Sequence, residues 1–168
     1  MKLEWLREYR ELVEKMIKFG NRYASQYQKE QSFGTPVPFS PSQLQVMEYI
    51  LENEEKNQSM VEIAARLGIS SSAFSKNVKK MVEKGLLERY HTTSNRKNII
   101  VKVSPLGKEV YAAYSRYALE HLFGPLFQLL DDIPPEEISR FAKAIDLWCE
   151  LSSNSRKPED PDHLIKIN

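Results

Sequence analysis

Residues 70–80 read SSSAFSKNVKK, four serines and three lysines threaded around Phe74 and Val78. On a helix, Phe74, Val78 and Met81 fall on one face. The opposite face then presents Ser71, Ser72, Ala73, Ser75, Lys76, Lys79 and Lys80, with Ser70 at the helix start. Small polar side chains let a helix approach the edges of nucleobases closely, and lysines beside them can reach bases or phosphates. The helix N-terminus adds partial positive charge towards a phosphate. Arg96 and Lys97, in the polar run HTTSNRK, place two more cations a short distance along the chain. Residues 66–102 hold nine basic and two acidic side chains, a net +7, and the remainder carries −6. An acidic body with one basic face suits a surface that meets phosphates. A solvated lysine-rich helix would carry the same charge. Ser72 and Ser75 could likewise serve only as caps at the helix start, so the surrounding pattern has to decide.

Other reactive residues point nowhere in particular. Cys149 is the one cysteine and cannot form an intramolecular disulfide. It lies beside Trp148 on an apolar stripe, flanked by Asp146 and Glu150, whereas a reactive thiolate needs positive neighbours and exposure. It reads as inert core. His91, His121 and His163 are scattered, with no carboxylate or cysteine at ligand spacing, so no metal is expected. His91 reads instead as a further contact to a nucleic-acid backbone. No nucleophile–base pair or glycine-rich phosphate loop is present, so neither catalysis nor a cofactor is expected.

The lysine-bearing helix needs a frame, and the flanking sequence supplies one. Ser59 and Glu62 form a capping box that opens a short helix through Ala64, Ala65 and Leu67, ending at Gly68. Small Ala64 and Ala65 allow a close helix crossing, and Ile69 plugs the space between the two helices. Ser70 caps the second helix, which runs to about Lys84 and stops at Gly85. Two strands follow, Leu86–Tyr90 and Asn98–Val103. Upstream, Ser40, Pro41 and Gln43 start a helix that buries Leu44, Met47, Ile50 and Leu51. A longer helix spans about 3–30, its wide apolar stripe (Trp5, Tyr9, Leu12, Ile17, Tyr23 and others) requiring a cover. Downstream, Ser104-Pro105 opens a helix over about 105–130, bent near Gly124-Pro125. Pro134-Pro135 starts a last one to about Leu151, with Ile138, Phe141, Ala142, Ile145, Trp148 and Cys149 inward. The tail is polar. No 18-residue apolar run and no signal-like segment are found, so the 168-residue chain is expected to be cytoplasmic.

Short helix, tight turn, second helix and hairpin, in that order, make a winged helix-turn-helix. The pattern Glu62-Ile63-Ala64, Leu67-Gly68-Ile69-Ser70, Phe74-Ser75-Lys76 and Lys84-Gly85-Leu86-Leu87-Glu88-Arg89, followed by Asn95-Arg96 and Val103-Ser104-Pro105-Leu106-Gly107, resembles the MarR family of bacterial regulators. The resemblance implies a mainly α fold with a small β-hairpin wing. Residues 1–39 would be a dimerisation helix and loop, 40–103 the DNA-binding domain, 104–152 further dimerisation helices and 153–168 a tail. It places Ser72, Ala73, Ser75 and Lys76 in the major groove, Lys80 on backbone or base, and Arg96 in the minor groove. Where the family commonly has an aspartate to orient that arginine, this chain has Ser94 and Asn95. Lys76 stands where arginine is usual, with a poorer fork of hydrogen bonds for guanine.

Tyr23 and Tyr27, with Tyr111, Tyr114, Tyr117 and His121, form an aromatic group. By the same resemblance it borders a crevice where aromatic effectors bind; tyrosines packed in a dimer are the competing reading. The expectation is a homodimeric repressor of a double-stranded DNA operator, released by a small effector. The alternative is a winged helix that binds another protein and no DNA, against which the +7 segment argues.

Overall fold

The computed structural model describes residues 4–93 and 98–153. Two compact units are present, Met1–Leu119 and Glu120–Asn168. In the first, a 3₁₀ segment Glu4–Tyr9 precedes helix α1 (Arg10–Gln26). Arg7 inside that segment has φ 51° and ψ −145°, so the single helix expected over 3–30 is broken near its start. It also ends at Gln26 and not at 30. Beyond it the backbone bonds elsewhere: Ser42 N–H donates to Tyr27 O, and Gln31 and Phe39 exchange both of their backbone bonds.

Helix α2 (Pro41–Glu52) starts as the sequence requires. The Ser40 hydroxyl accepts from Gln43 N–H while the Gln43 side chain accepts from Ser40 N–H. Helix α3 (Met60–Arg66) repeats the device. Glu62 accepts from both the N–H and the hydroxyl of Ser59 at 2.7 Å, and these bonds hold its carboxyl below the usual range. Gly68 takes φ +66°, ending α3, and helix α4 (Ser71–Glu83) follows with Ser70 accepting from Ala73 N–H. Gly85, at φ +73°, turns the chain into β1 (Leu87–His91), which pairs antiparallel with β2 (Ile99–Val103). Leu87 faces Val103 and His91 faces Ile99. An isolated bridge from Ser59 to Ile100 lies outside this pair. Ile100 is buried along with Val101 and Val103, so the simple in–out alternation of β2 is interrupted there.

One apolar core holds this unit together: Phe39, Val46, Met47, Phe74, Val78, Met81 and Leu86 are inaccessible to solvent. Of the two alanines expected at the helix crossing, Ala64 is buried but Ala65 is exposed. Helix α5 (Pro105–Ala118) is capped by Ser104 and adds Val110, Tyr114 and Ala118 to the core. Gly107 lies so close to Leu86 that a Cβ there would sit 2.2 Å from the Leu86 carbonyl oxygen.

A π-helical turn, Leu119–Phe123, follows α5 and precedes α6 (Gly124–Leu130). Pro125 in the first turn of α6 has no N–H to offer His121 O and crowds that carbonyl, which accounts for the irregularity just before it. The bend expected near Gly124-Pro125 thus takes the form of a widened turn. Helix α7 (Pro135–Ser153) completes the second unit. Its stripe of Ile138, Phe141, Ile145, Trp148 and Cys149, expected inward, is exposed in the single chain. The helix is amphipathic as its periodicity requires, but its apolar face stays partly open to solvent in the single chain.

Candidate nucleic-acid interface

Helix α4 is fixed by Phe74, Val78 and Met81, none of which has any solvent-accessible surface. That anchoring decides which side chains face out. Ser71, Ser72, Ala73, Ser75, Lys76, Lys79 and Lys80 are all exposed, as is the cap residue Ser70. The Ser70 hydroxyl is engaged by Ala73 N–H at 3.2 Å and lies 3.2 Å from the Ser72 hydroxyl. Ser70 is therefore a structural cap first, whatever else it touches. Lys79 comes within 3.9 Å of Glu83, but both side chains are well exposed and such a pair contributes little. The exposed face offers small polar groups at the helix start and lysines along its length.

Two more residues join this face. Asn77 and Gln28 line one depression together with Ala73, Lys76, Lys79, Lys80 and Glu83. Asn77 borders the apolar stripe and is half-buried, so helical periodicity alone does not select it. Gln28 comes from the segment after α1, and no local signal in the sequence could bring it here. Lys84 behaves differently from its neighbours. Its ammonium is largely enclosed, 2.8 Å from Glu30 and donating to Pro38 O at 2.6 Å. The Lys84 ammonium beside Glu30 holds that carboxyl below its usual range. Lys84 thus belongs to the frame and not to the basic face. Arg96 and Lys97, with Ser94 and Asn95, lie outside the described residues. On the described part of the hairpin, His91 and Arg89 are exposed.

The structure divides the aromatic group. Tyr114 is a core residue, its ring edge-on to Phe33 and Phe39 with centroids 5.8 and 5.6 Å away. Burial, reinforced by the Glu48 charge, pushes its phenol up to about 12. The Tyr23 and Tyr27 rings lie 5.7 Å apart, tilted by 47°, and Tyr111 lies 6.2 Å from Tyr114. The hydroxyls are partly occupied: Tyr27 donates to Gln45 at 2.7 Å and Tyr111 to Glu48 at 3.3 Å. Burial raises the Glu48 carboxyl above its ordinary value, with the Tyr111 bond opposing. Tyr117 packs under Gly34, and His121 falls in the second unit. Among the described residues no three His, Cys, Asp or Glu side chains converge as a metal site.

Helix, glycine turn, helix and antiparallel hairpin on one core define a winged helix-turn-helix. Residues 38–97 match the model of the MarR family, and this stretch carries the helix-turn-helix. No curated protein sequence matches the chain. Solved structures of the same fold include the zinc-responsive MarR family member ZitR of Lactococcus lactis (16% identity, 85% of this chain and 98% of that one, TM-score 0.60). A mutant of MarR from E. coli, complexed with operator DNA, is similar at 16% identity (87% and 97% covered, TM-score 0.57). So is the transcriptional regulator PcaV from Streptomyces coelicolor, in complex with its natural ligand (12% identity, 90% and 99% covered, TM-score 0.61). The match over residues 38–97 supports a DNA-binding transcriptional regulator.

Proposed function

We propose that this chain is a sequence-specific regulator that binds a double-stranded DNA operator as a homodimer and represses transcription from it. The observation that carries the reading is the outward face of α4. A helix immobilised by three inaccessible anchors presents Ser71, Ser72, Ala73, Ser75, Lys76, Lys79 and Lys80 to solvent. Small residues at its N-terminal end let it enter a major groove, and the lysines then lie within reach of bases and phosphates. By the family resemblance Arg96 makes the wing contact, and Lys97 is the cation next to it in sequence.

Dimerisation is supported by apolar faces that the single chain leaves uncovered. α1 and the segment before it expose Trp5, Leu12, Ile17 and Phe19; α6 and α7 expose Leu126, Phe127, Leu129, Ile138 and Leu151. Large exposed apolar faces of this kind mark interaction surfaces in soluble proteins. Two α4 helices would then read half-sites about one helical turn, or roughly 34 Å, apart. A small aromatic effector held near Tyr23, Tyr27 and Tyr111, with Tyr114 behind them, releases DNA if it favours another arrangement of the two halves.

Selection of duplexes from a random pool by the native chain tests this directly. An enriched, inverted-repeat motif, lost on adding an effector drawn from a panel of aromatic acids, is the expected result. Absence of any enriched motif overturns the reading and favours a protein-binding winged helix.

A further inference from the structure

Lys84 lies at the end of the basic run, yet its contacts are all internal. Its three ammonium protons meet three acceptors: Pro38 O at 2.6 Å, Glu30 Oε1 at 2.8 Å and Gln43 Oε1 at 3.5 Å. Gln43 is buried, its Oε1 already accepting from Ser40 N–H and its Nε2 donating to Glu30 at 3.5 Å. Pro38 and Glu30 each adjoin the bridge in which Gln31 and Phe39 exchange backbone hydrogen bonds. Ser42 ties the same segment back to Tyr27 O and to the Gln28 side chain. The stretch 27–43 is therefore one tied unit, and Lys84, the C-cap of α4, is bonded to it. The apolar anchors Phe74, Val78 and Met81 set how deeply α4 is seated. Buried Leu86 holds the chain just beyond the helix, and the ammonium adds a polar tie from the helix end to the 27–43 segment.

From this we infer that Lys84, held by Glu30, Gln43 and Pro38, is a positioning residue that sets the orientation of α4, so that the segment after α1 controls how the helix meets DNA. The inference rests on the reading of α4 as the DNA-facing helix. It makes an unusual demand on Glu30. Glu30 also attracts Lys80, so on charge alone its removal strengthens binding to a polyanion. A positioning role requires the opposite.

The test uses the full-length chain and a synthetic duplex that the native chain selects from a random pool. E30Q and K84M should each weaken binding roughly tenfold, the loss of one charge-assisted set of hydrogen bonds. The double variant should be no weaker than either, because both remove the same contact. K84R, which keeps the charge and can reach Pro38 and Glu30, should recover most of the loss, and the salt dependence should match that of the native chain throughout. E30Q binding as tightly as the native chain, or tighter, overturns the inference. So does a K84M salt slope reduced by about one per protomer, the mark of a phosphate contact. Amide exchange of Gly85 and Leu86 in the DNA-free protein is a second readout. It should quicken in both single variants, and unchanged exchange overturns the clamp whatever the DNA result. A native chain that binds no duplex sinks the DNA reading alone, and exchange then decides the clamp.

Discussion

Replacing Gly107 with alanine sets two familiar effects against each other. Gly107 lies within α5, where alanine is the better helix former by about 1 kcal/mol. Yet the new Cβ would lie 2.2 Å from Leu86 O and 2.7 Å from Val103 Cγ1, whereas ordinary contact begins at 3.4 Å. The helix and the Leu86 backbone must part by about 1.2 Å to relieve the closer clash. Leu86 cannot yield alone. Its carbonyl accepts from Ser104 N–H at 3.0 Å, its N–H donates to Met81 O at 2.9 Å, and its side chain is inaccessible. Overpacking of this kind costs about 1–3 kcal/mol, and loss of the Ser104 bond about 1 more. Set against the helix gain, the net is a destabilisation of about 2 kcal/mol. For a chain of this length that corresponds to a fall in Tm of about 4–8 °C. Circular dichroism melts of G107A and the native chain, run at equal protein concentration because a dimer melts concentration-dependently, measure it. A variant melting at or above the native temperature would refute the close approach between α5 and Leu86.

Gly68 offers a contrast, since its φ is +66° but nothing lies within 4 Å of an added Cβ. G68A should therefore cost only the left-handed strain, about 1–2 kcal/mol, and G68N less, by the same melts. E48Q should stabilise the protein at neutral pH while keeping an acceptor for Tyr111. Burial raises the Glu48 carboxyl, so the folded state bears a penalty above its shifted pKa that vanishes below the ordinary value of about 4.3. The advantage of E48Q in urea unfolding should accordingly shrink as pH falls through that range, and a constant advantage counts against it. K76A should weaken binding to a selected duplex by about 1–3 kcal/mol, and binding to unrelated duplex less. Equal losses in filter binding would remove Lys76 from base readout.

The parts of the fold that were legible in the sequence are those with local causes. Ser40, Ser59, Ser70 and Ser104 cap the helices they precede because each hydroxyl reaches a backbone N–H three residues on. Gly68 and Gly85 turn the chain because their positive φ favours glycine. Phe74, Val78 and Met81 followed from helical spacing, and with them the exposure of the serine and lysine face. What escaped the sequence depends on distant partners. Lys84 looks like its basic neighbours, but the acceptors that enclose it lie more than forty residues away. The first helix stops at Gln26 because Tyr27, Gln31 and Phe39 bond across the following segment. No proline or glycine marks the break at Arg7. The stripe on α7 reads as core by periodicity, yet the single chain leaves it exposed.

The function proposed for this protein depends on the basic face of α4 meeting phosphates, and a salt titration of duplex binding measures that contact. If Lys79 and Lys80 of two protomers engage four phosphates, log K should fall against log salt with a slope of about −3.6. Wing contacts would make the slope steeper. A slope near zero, or no binding to any duplex at low salt, would show that α4 does not face DNA.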